Sequence, residues 1–349
     1  MGRRRRSGLN CYFMPETAGS PAQTSKKAIY WIASLALAGV LLYYSLRGIE
    51  WRQVWITLRS ARVLFVVFGF TLMTGSLFLR SYRWRVLLSA EGPVSVPLAF
   101  WATSAGYLGN NVLPARAGEV IRSLMISSRT GMSKAFVLTT ALSERAVDAI
   151  AVITISSVVL LTMKDRPGWF AHAARPFAIL GFCGVASIIL IPAFEVFWFK
   201  VVGLLPLAPK LQAKVESILR NGLQGIRSFH DYSRLARFVL FTAIIWSADA
   251  VMTIVLAQSI HVRITLPMAF LLTAGLALGS ALPSTPGYVG IYQFVATSVL
   301  TPFGLSRTAA IAYILMYQAL NYVLVLSWGG IGFAQQRKRV ATGTDLEND

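Results

Sequence analysis

Six apolar runs of about 20 residues or more, at 28–46, 63–88, 133–162, 175–200, 234–260 and 307–334, limit this chain more than any other feature. Two further apolar stretches, 96–128 and 266–302, are interrupted by Pro and Gly. Runs of this length cross a bilayer as helices, which satisfy their own backbone hydrogen bonds in a medium without water. With 13% charged residues, 55% hydrophobic residues and a mean hydropathy of +0.60, too little polar surface remains to coat a soluble globule. The expected class is therefore an all-α polytopic membrane protein. Cys11 and Cys183 lie far apart without metal or redox spacing.

The net charge of +19 points toward an anionic partner, and its distribution says which kind. If each interrupted stretch returns to the side it entered from, 23 of the 33 Lys and Arg residues fall on one side and 9 on the other, with Arg145 inside a span. That asymmetry is the positive-inside rule. It predicts a multi-pass protein of the cytoplasmic membrane with both termini cytoplasmic. Nothing in the sequence provides an aromatic-basic platform or a finger motif, so nucleic acid is not an expected partner. Arg3 to Arg6 imitate the start of a signal peptide. The apolar run after Ala28 nevertheless ends at Tyr43-Tyr44-Ser45-Leu46-Arg47 without a small-residue cleavage site, and it reads as a retained anchor. Residues 1–27 and 336–349 read as cytoplasmic tails flanking a membrane domain at 28–335, the first tail basic and disordered.

Within that domain one plan occurs twice, at 28–163 and 172–335. A span, an amphipathic basic linker, a second span, a Pro/Gly-broken pair and a third span follow in order. The linkers, Glu50 to Arg62 and Pro209 to Phe229, are read either as helices lying in the membrane interface or as ordinary loop helices. Pro97-Leu98-Ala99-Phe100 matches Pro267-Met268-Ala269-Phe270, and the same offset of 170 pairs Gly109 with Gly279. One gap later Pro114, Gly118 and Val120 pair with Pro283, Gly287 and Val289. Gly131-Met132-Ser133-Lys134 then resembles Gly304-Leu305-Ser306-Arg307, and Asp148 falls opposite Asn321. An odd number of crossings per unit predicts two inverted repeats, each with a re-entrant helix pair.

The candidate site residues sit where polar groups interrupt this apolar background. Pro114 breaks the segment Gly109 to Arg122, and a half-helix starting after it would aim free N–H groups at a phosphate or carboxylate. Asn110, Asn111 and Arg116 would add donors there, with Glu119 balancing Arg116 or Arg122. The partner segment, Ala281 to Gln293, has no formal charge and offers Ser284, Thr285 and Gln293 as hydrogen-bonding groups from a second half-helix. Inside an apolar span, Glu144 and Asp148 share a helix face, with Arg145 on the adjoining one. Each charge at the bilayer centre costs roughly 2.5–3.5 kcal/mol, so these groups must be paired or line a wet cavity. Asp249 is a similar case, as a partner for Arg145 or as a proton or cation site. Arg80, Arg83 and Arg85 stand at an expected cytoplasmic helix end, where they would snorkel to lipid phosphates; Arg80 and Arg83 are also candidates for recruiting a headgroup.

The order Arg83-Trp84-x-x-Leu87-Leu88, Asn110…Pro114-x-Arg116-x-Gly118-Glu119-x-x-Arg122, Glu144-Arg145-x-x-Asp148 and Pro286-Gly287-x-x-Gly290-x-x-Gln293 resembles the lysylphosphatidylglycerol synthetase transmembrane-region family, also called flippase-like domain proteins. The likeness spans about 28–335, and it departs at Gln293, where the family often has Glu. It implies a helical membrane domain with inverted repeats and re-entrant helices. It also implies an activity on lipids, either flipping an aminoacylated phospholipid or acting around lipid-linked sugars. Synthases of that family carry a large soluble aminoacyltransferase domain after the membrane part. This sequence ends at Asp349, so the expectation is a membrane unit that is not itself the synthase.

The leading expectation is a lipid translocator, not an enzyme, moving a polar phospholipid or lipid-linked headgroup through a midplane cavity. The alternatives are a membrane-embedded enzyme and an accessory partner that recruits a cytoplasmic synthase through the basic 200–237 segment. Neither H-E-x-x-H, G-x-S-x-G nor a Walker A loop occurs, and His172, His230 and His261 fall in or beside expected loops. No catalytic residue, metal or cofactor is expected. The expected partners are anionic or lipid-linked membrane lipids, with a synthase partner and a homo-oligomer both compatible with this reading.

Overall fold

A computed structural model of the chain describes residues 35–113, 117–163, 172, 175–176, 178–184, 186, 194–205, 209, 211–217, 220, 231–281 and 286–342. Among these the regular structure is helical throughout, with no strand. Eleven helices carry the description: α1 (Leu35–Leu46), α2 (Trp51–Arg59), α3 (Val63–Leu88), α4 (Val96–Val112), α5 (Gly118–Thr130), α6 (Lys134–Thr162), α7 (Glu195–Leu204), α8 (Tyr232–Ser259), α9 (Leu266–Gly279), α10 (Ile291–Leu300) and α11 (Arg307–Thr342).

Four of them are long and apolar enough to cross a membrane: α3, α6, α8 and the 307–335 part of α11. They coincide within a residue or two with four of the six expected runs. Part of the expected span 28–46 and most of 175–200 lie outside the described residues, although α1 and α7 occupy parts of them. Exposed apolar side chains along the long helices, such as Leu64 and Phe68 on α3, Leu161 on α6, Leu240 on α8 and Leu326 on α11, face outward. That is the surface a helix presents to acyl chains. α2 has the same character on a smaller scale. Val54 is buried, whereas Trp51, Trp55 and Ile56 are exposed beside Arg52 and Arg59, as in an interfacial helix.

The two interrupted stretches break where expected. α4 ends before Pro114 and α5 starts at Gly118; α9 ends at Gly279, and a 3-10 turn over Pro286–Tyr288 precedes α10. At 17, 13, 14 and 10 residues, none of these four helices has the length of about 20 residues that a single crossing requires. Both stretches begin with a proline inside the first helical turn, Pro97 and Pro267, where a missing N–H costs nothing. Both lead into a long helix through a left-handed glycine, Gly131 at φ 72° and Gly304 at φ 88°.

Small residues set the helix spacing. A Cβ on Gly118 would overlap the carbonyl oxygen of Gly106, so α4 and α5 meet backbone to backbone. Gly109 lies against Ile121, and its sequence counterpart Gly279 against Ile291; a Cβ on either would approach the isoleucine within 2.8 Å. The same helix–break–helix order and the same Gly–Ile contact thus occur in both interrupted stretches. α3 packs along α8, with Gly69 receiving Leu256, and α11 packs along α4, with Gly329 and Gly332 facing the carbonyl oxygens of Ser104 and Trp101.

Candidate functional site

Four helices carry their ionised groups inward to one place. α3 supplies Arg80 and Arg83, α5 supplies Glu119 and Arg122, α6 supplies Glu144, Arg145 and Asp148, and α8 supplies Asp249. Spacings of three and four residues put Arg80 with Arg83, Glu119 with Arg122 and Glu144 with Asp148 on one face of their helices, and Arg145 adjoins the last pair.

Arg83 is the centre. Its side chain is 0% exposed, and its two terminal nitrogens donate to both oxygens of Asp148 at 2.7 and 2.8 Å. They also reach Glu144 Oε1 and Thr242 Oγ1, each at 2.9 Å, and the guanidinium lies 4.7 Å from the Phe238 ring centroid. Arg122, equally buried, donates from Nε to Glu119 Oε2 at 2.6 Å and pairs with Glu144 Oε2 at 2.9 Å, its guanidinium over the Trp84 ring. Arg145 donates from Nε to Glu119 Oε1 at 2.9 Å and stands 3.7 Å from Asp148. Arg80 donates to Asp249 Oδ2 at 2.5 Å, and Ser76 donates to the other oxygen of Asp249 at 2.6 Å. Four guanidinium groups meet four carboxylates, so the described cluster is electrically neutral. Its ions therefore face partners in place of lipid, and the desolvation of each is offset by charge-assisted hydrogen bonds.

The cluster forms one wall of a cavity of about 220 Å³. Arg80, Asn110, Asn111, Glu119, Arg145, Asp148 and Asp249 reach its surface, whereas Arg83, Arg122 and Glu144 stand behind them. The other wall comes from the second half of the chain. Tyr288 and Tyr292 stack with ring centroids 5.0 Å apart, Tyr317 lies 6.2 Å from Tyr292, and Thr273, Ser280 and Asn321 add polar groups. Asn321 donates to Asn111 Oδ1 at 3.4 Å, tying the two walls together.

Tyr288 is held there by unusual backbone. It has φ 59°, between Gly287 at 71° and Gly290 at 91°, a left-handed conformation that a tyrosine adopts only under constraint. The constraint is a pair of buried glutamines. Gln293 accepts the Gly290 N–H at 2.8 Å and donates to Gln318 at 2.5 Å, and Gln318 donates to the Gly287 carbonyl at 3.1 Å.

Several expectations from the sequence change here. Arg83 and Arg80 do not snorkel to headgroups from a helix end. Arg83 is interior, and Arg80 pairs with Asp249 at the cavity, because carboxylates on α6 and α8 offer a better partner than lipid phosphate. Asp249 pairs with Arg80, not Arg145, and Glu119 holds both Arg122 and Arg145. Gln293 is absent from the cavity surface and shapes the loop behind it. Arg116, Ser284 and Thr285 lie outside the described residues. Tyr107, Tyr317 and Trp246 also line the cavity, and nothing in the sequence marks them; only their depth in the fold distinguishes them. Among the described residues no group of three or more His, Cys, Asp or Glu side chains is arranged to hold a metal.

Comparison with known proteins places this geometry in context. Residues 31–329 match the family model described as the lysylphosphatidylglycerol synthase TM region. A UPF0104 membrane protein of Pyrococcus horikoshii is 24% identical over 345 residues, covering 91% of this chain and all of the relative. A UPF0104 membrane protein of Methanocaldococcus jannaschii is 22% identical over 229 residues, 64% of this chain and 92% of that one.

Proposed function

Because the chain belongs to the lysylphosphatidylglycerol synthase TM-region family, we propose that it is a lipid translocator, passing a polar headgroup through its central cavity while the acyl or prenyl chains stay in the bilayer. The observation that carries this reading is a polar cavity bounded by both halves of a multi-pass helical protein, with ion pairs on one wall and tyrosines on the other. Ionised groups at that depth are costly, and they commonly mark a pathway for polar cargo.

On this reading the protein sits in the cytoplasmic membrane with both termini cytoplasmic, as the skew of basic residues favours. The α4–α5 and α9–α10 pairs are re-entrant hairpins entering from opposite sides, and the two halves are inverted repeats. The paired prolines, glycines and Gly–Ile contacts of the two halves support this arrangement. Arg80 and Arg145 would hold the headgroup phosphate, with Asp148, Glu119 and Asp249 keeping those guanidiniums oriented.

Reconstitution tests the proposal. With the purified chain in liposomes and tail-labelled phospholipid in both leaflets, chemical quenching from outside should remove nearly all fluorescence, against about half in protein-free vesicles. Arg145→Gln and Asp148→Asn should slow the quenching phase at least about tenfold, the effect of losing roughly 1.4 kcal/mol of interaction at the barrier. Wild-type quenching indistinguishable from empty vesicles for every lipid tried would sink the proposal.

A further inference from the structure

The charge balance of the described ion cluster points to the class of headgroup that the cavity suits, an inference that rests on the translocator reading above. Within the described cluster every guanidinium has a carboxylate and every carboxylate a guanidinium. A ligand bearing net charge would bring an uncompensated ion into a partly dehydrated space, whereas an internally neutral ligand would not.

The cluster still has donors to offer. Asp148 is already held at both oxygens by Arg83, so its contacts with Arg80 at 4.0 Å and Arg145 at 3.7 Å are loose. A guanidinium carries five N–H donors. At the cavity Arg80 makes one close charged hydrogen bond, to Asp249, and Arg145 one, to Glu119, with a longer one to the Tyr107 hydroxyl at 3.4 Å. These two are the partly exposed guanidiniums of the cluster, at 14% and 24%, and they suit a phosphodiester. Tyr288, Tyr292 and Tyr317 line the same cavity, the first two stacked on each other, and aromatic rings are groups that attract ammonium ions.

We propose that the cavity binds a zwitterionic phospholipid headgroup, its phosphate toward Arg80 and Arg145 and its ammonium toward Tyr288, Tyr292 and Tyr317. The strained backbone at Tyr288 then has a purpose: it fixes an aromatic residue at the cavity that the arginines also line.

Calorimetry on the purified full chain, with glycerophosphoethanolamine, glycerophosphoglycerol and inorganic phosphate as probes, tests this. Glycerophosphoethanolamine should bind at least about tenfold more tightly than either anion, a modest margin for one uncompensated charge at a partly buried site. Asp249→Asn, which leaves the cluster with one excess positive charge, should reverse the preference toward glycerophosphoglycerol. Tyr292→Leu should weaken glycerophosphoethanolamine several-fold and leave the anions unchanged, and it carries the test if Asp249→Asn fails to fold. Equal or tighter binding of glycerophosphoglycerol, binding of inorganic phosphate as tight as that of the zwitterion, binding of none of the probes, or unchanged selectivity in both variants would each overturn the inference. Selective binding of the zwitterion without movement of any lipid in liposomes would leave the inference standing and remove the translocator reading. Lipid movement without that selectivity would do the opposite.

Discussion

Arg83 is the residue on which the interior most depends, because both oxygens of Asp148 and one of Glu144 take close contacts from it while it has no exposed surface of its own. Removing one member of a buried ion pair leaves its partner charged and dehydrated, at about 3–5 kcal/mol. Arg83→Gln should therefore lower unfolding stability in mild detergent by about 3 kcal/mol or more, and adding Asp148→Asn should recover part of the loss. A loss under about 1 kcal/mol in a denaturant titration would show that the pair is solvated and the cluster not interior. The sequence made Glu144, Arg145 and Asp148 conspicuous by their cost in an apolar run. It gave Arg83 and Arg80 the wrong neighbours, because a basic residue near the end of a hydrophobic helix reads as an anchor until the facing helices are known.

Element boundaries were largely legible, and the reason is local. Hydrophobic length sets where α3, α6, α8 and α11 run, and Pro and Gly set where α4, α5, α9 and α10 stop. The start of α8 shows the same local logic. Asp231 accepts from the N–H groups of Ser233 at 2.9 Å and Arg234 at 3.2 Å, and from the Arg234 guanidinium at 3.0 Å. Those hydrogen bonds, that from the Arg234 N–H foremost, hold the Asp231 carboxyl below its ordinary value. A carboxyl with a depressed folded pKa contributes stability above its unfolded pKa of about 4 and loses it as the pH falls through the lower, folded value. Asp231→Ala should accordingly lower the melting temperature at pH 7, with the gap to wild type closing as the medium is acidified below about pH 4. A gap that stays constant from pH 7 to pH 3 would mean that the carboxylate does not cap α8. Loop conformation was the less legible part. Gln293 looked like a site residue, and only contact with Gln318, 25 positions away, shows that it shapes the backbone around Tyr288.

At the scale of the whole molecule, orientation follows from where the basic residues lie, and it is open to direct measurement. In a chain whose cysteines are replaced by serine, a cysteine at Trp55 on α2 should react with a membrane-impermeant thiol reagent added outside intact cells. One at Lys214 should react only after the membrane is permeabilised. The reverse pattern would invert the topology and with it the reading of the basic segments as cytoplasmic. Hydropathy, charge asymmetry and the repeated Pro and Gly positions are written along the chain, so the sequence by itself determined the helical membrane class, most span limits and the presence of a costly polar interior. Pairing between ions is a property of distance through space. α3 and α8 come together from positions about 170 residues apart, and α11 brings Tyr317 and Asn321 to the cavity formed with Asn111 and Asp148. Only the tertiary structure could decide that, among the described residues of the cluster, the arginines neutralise the carboxylates one for one and that tyrosines line the same cavity, because an ion's partner is chosen by helix packing and not by its neighbours in sequence.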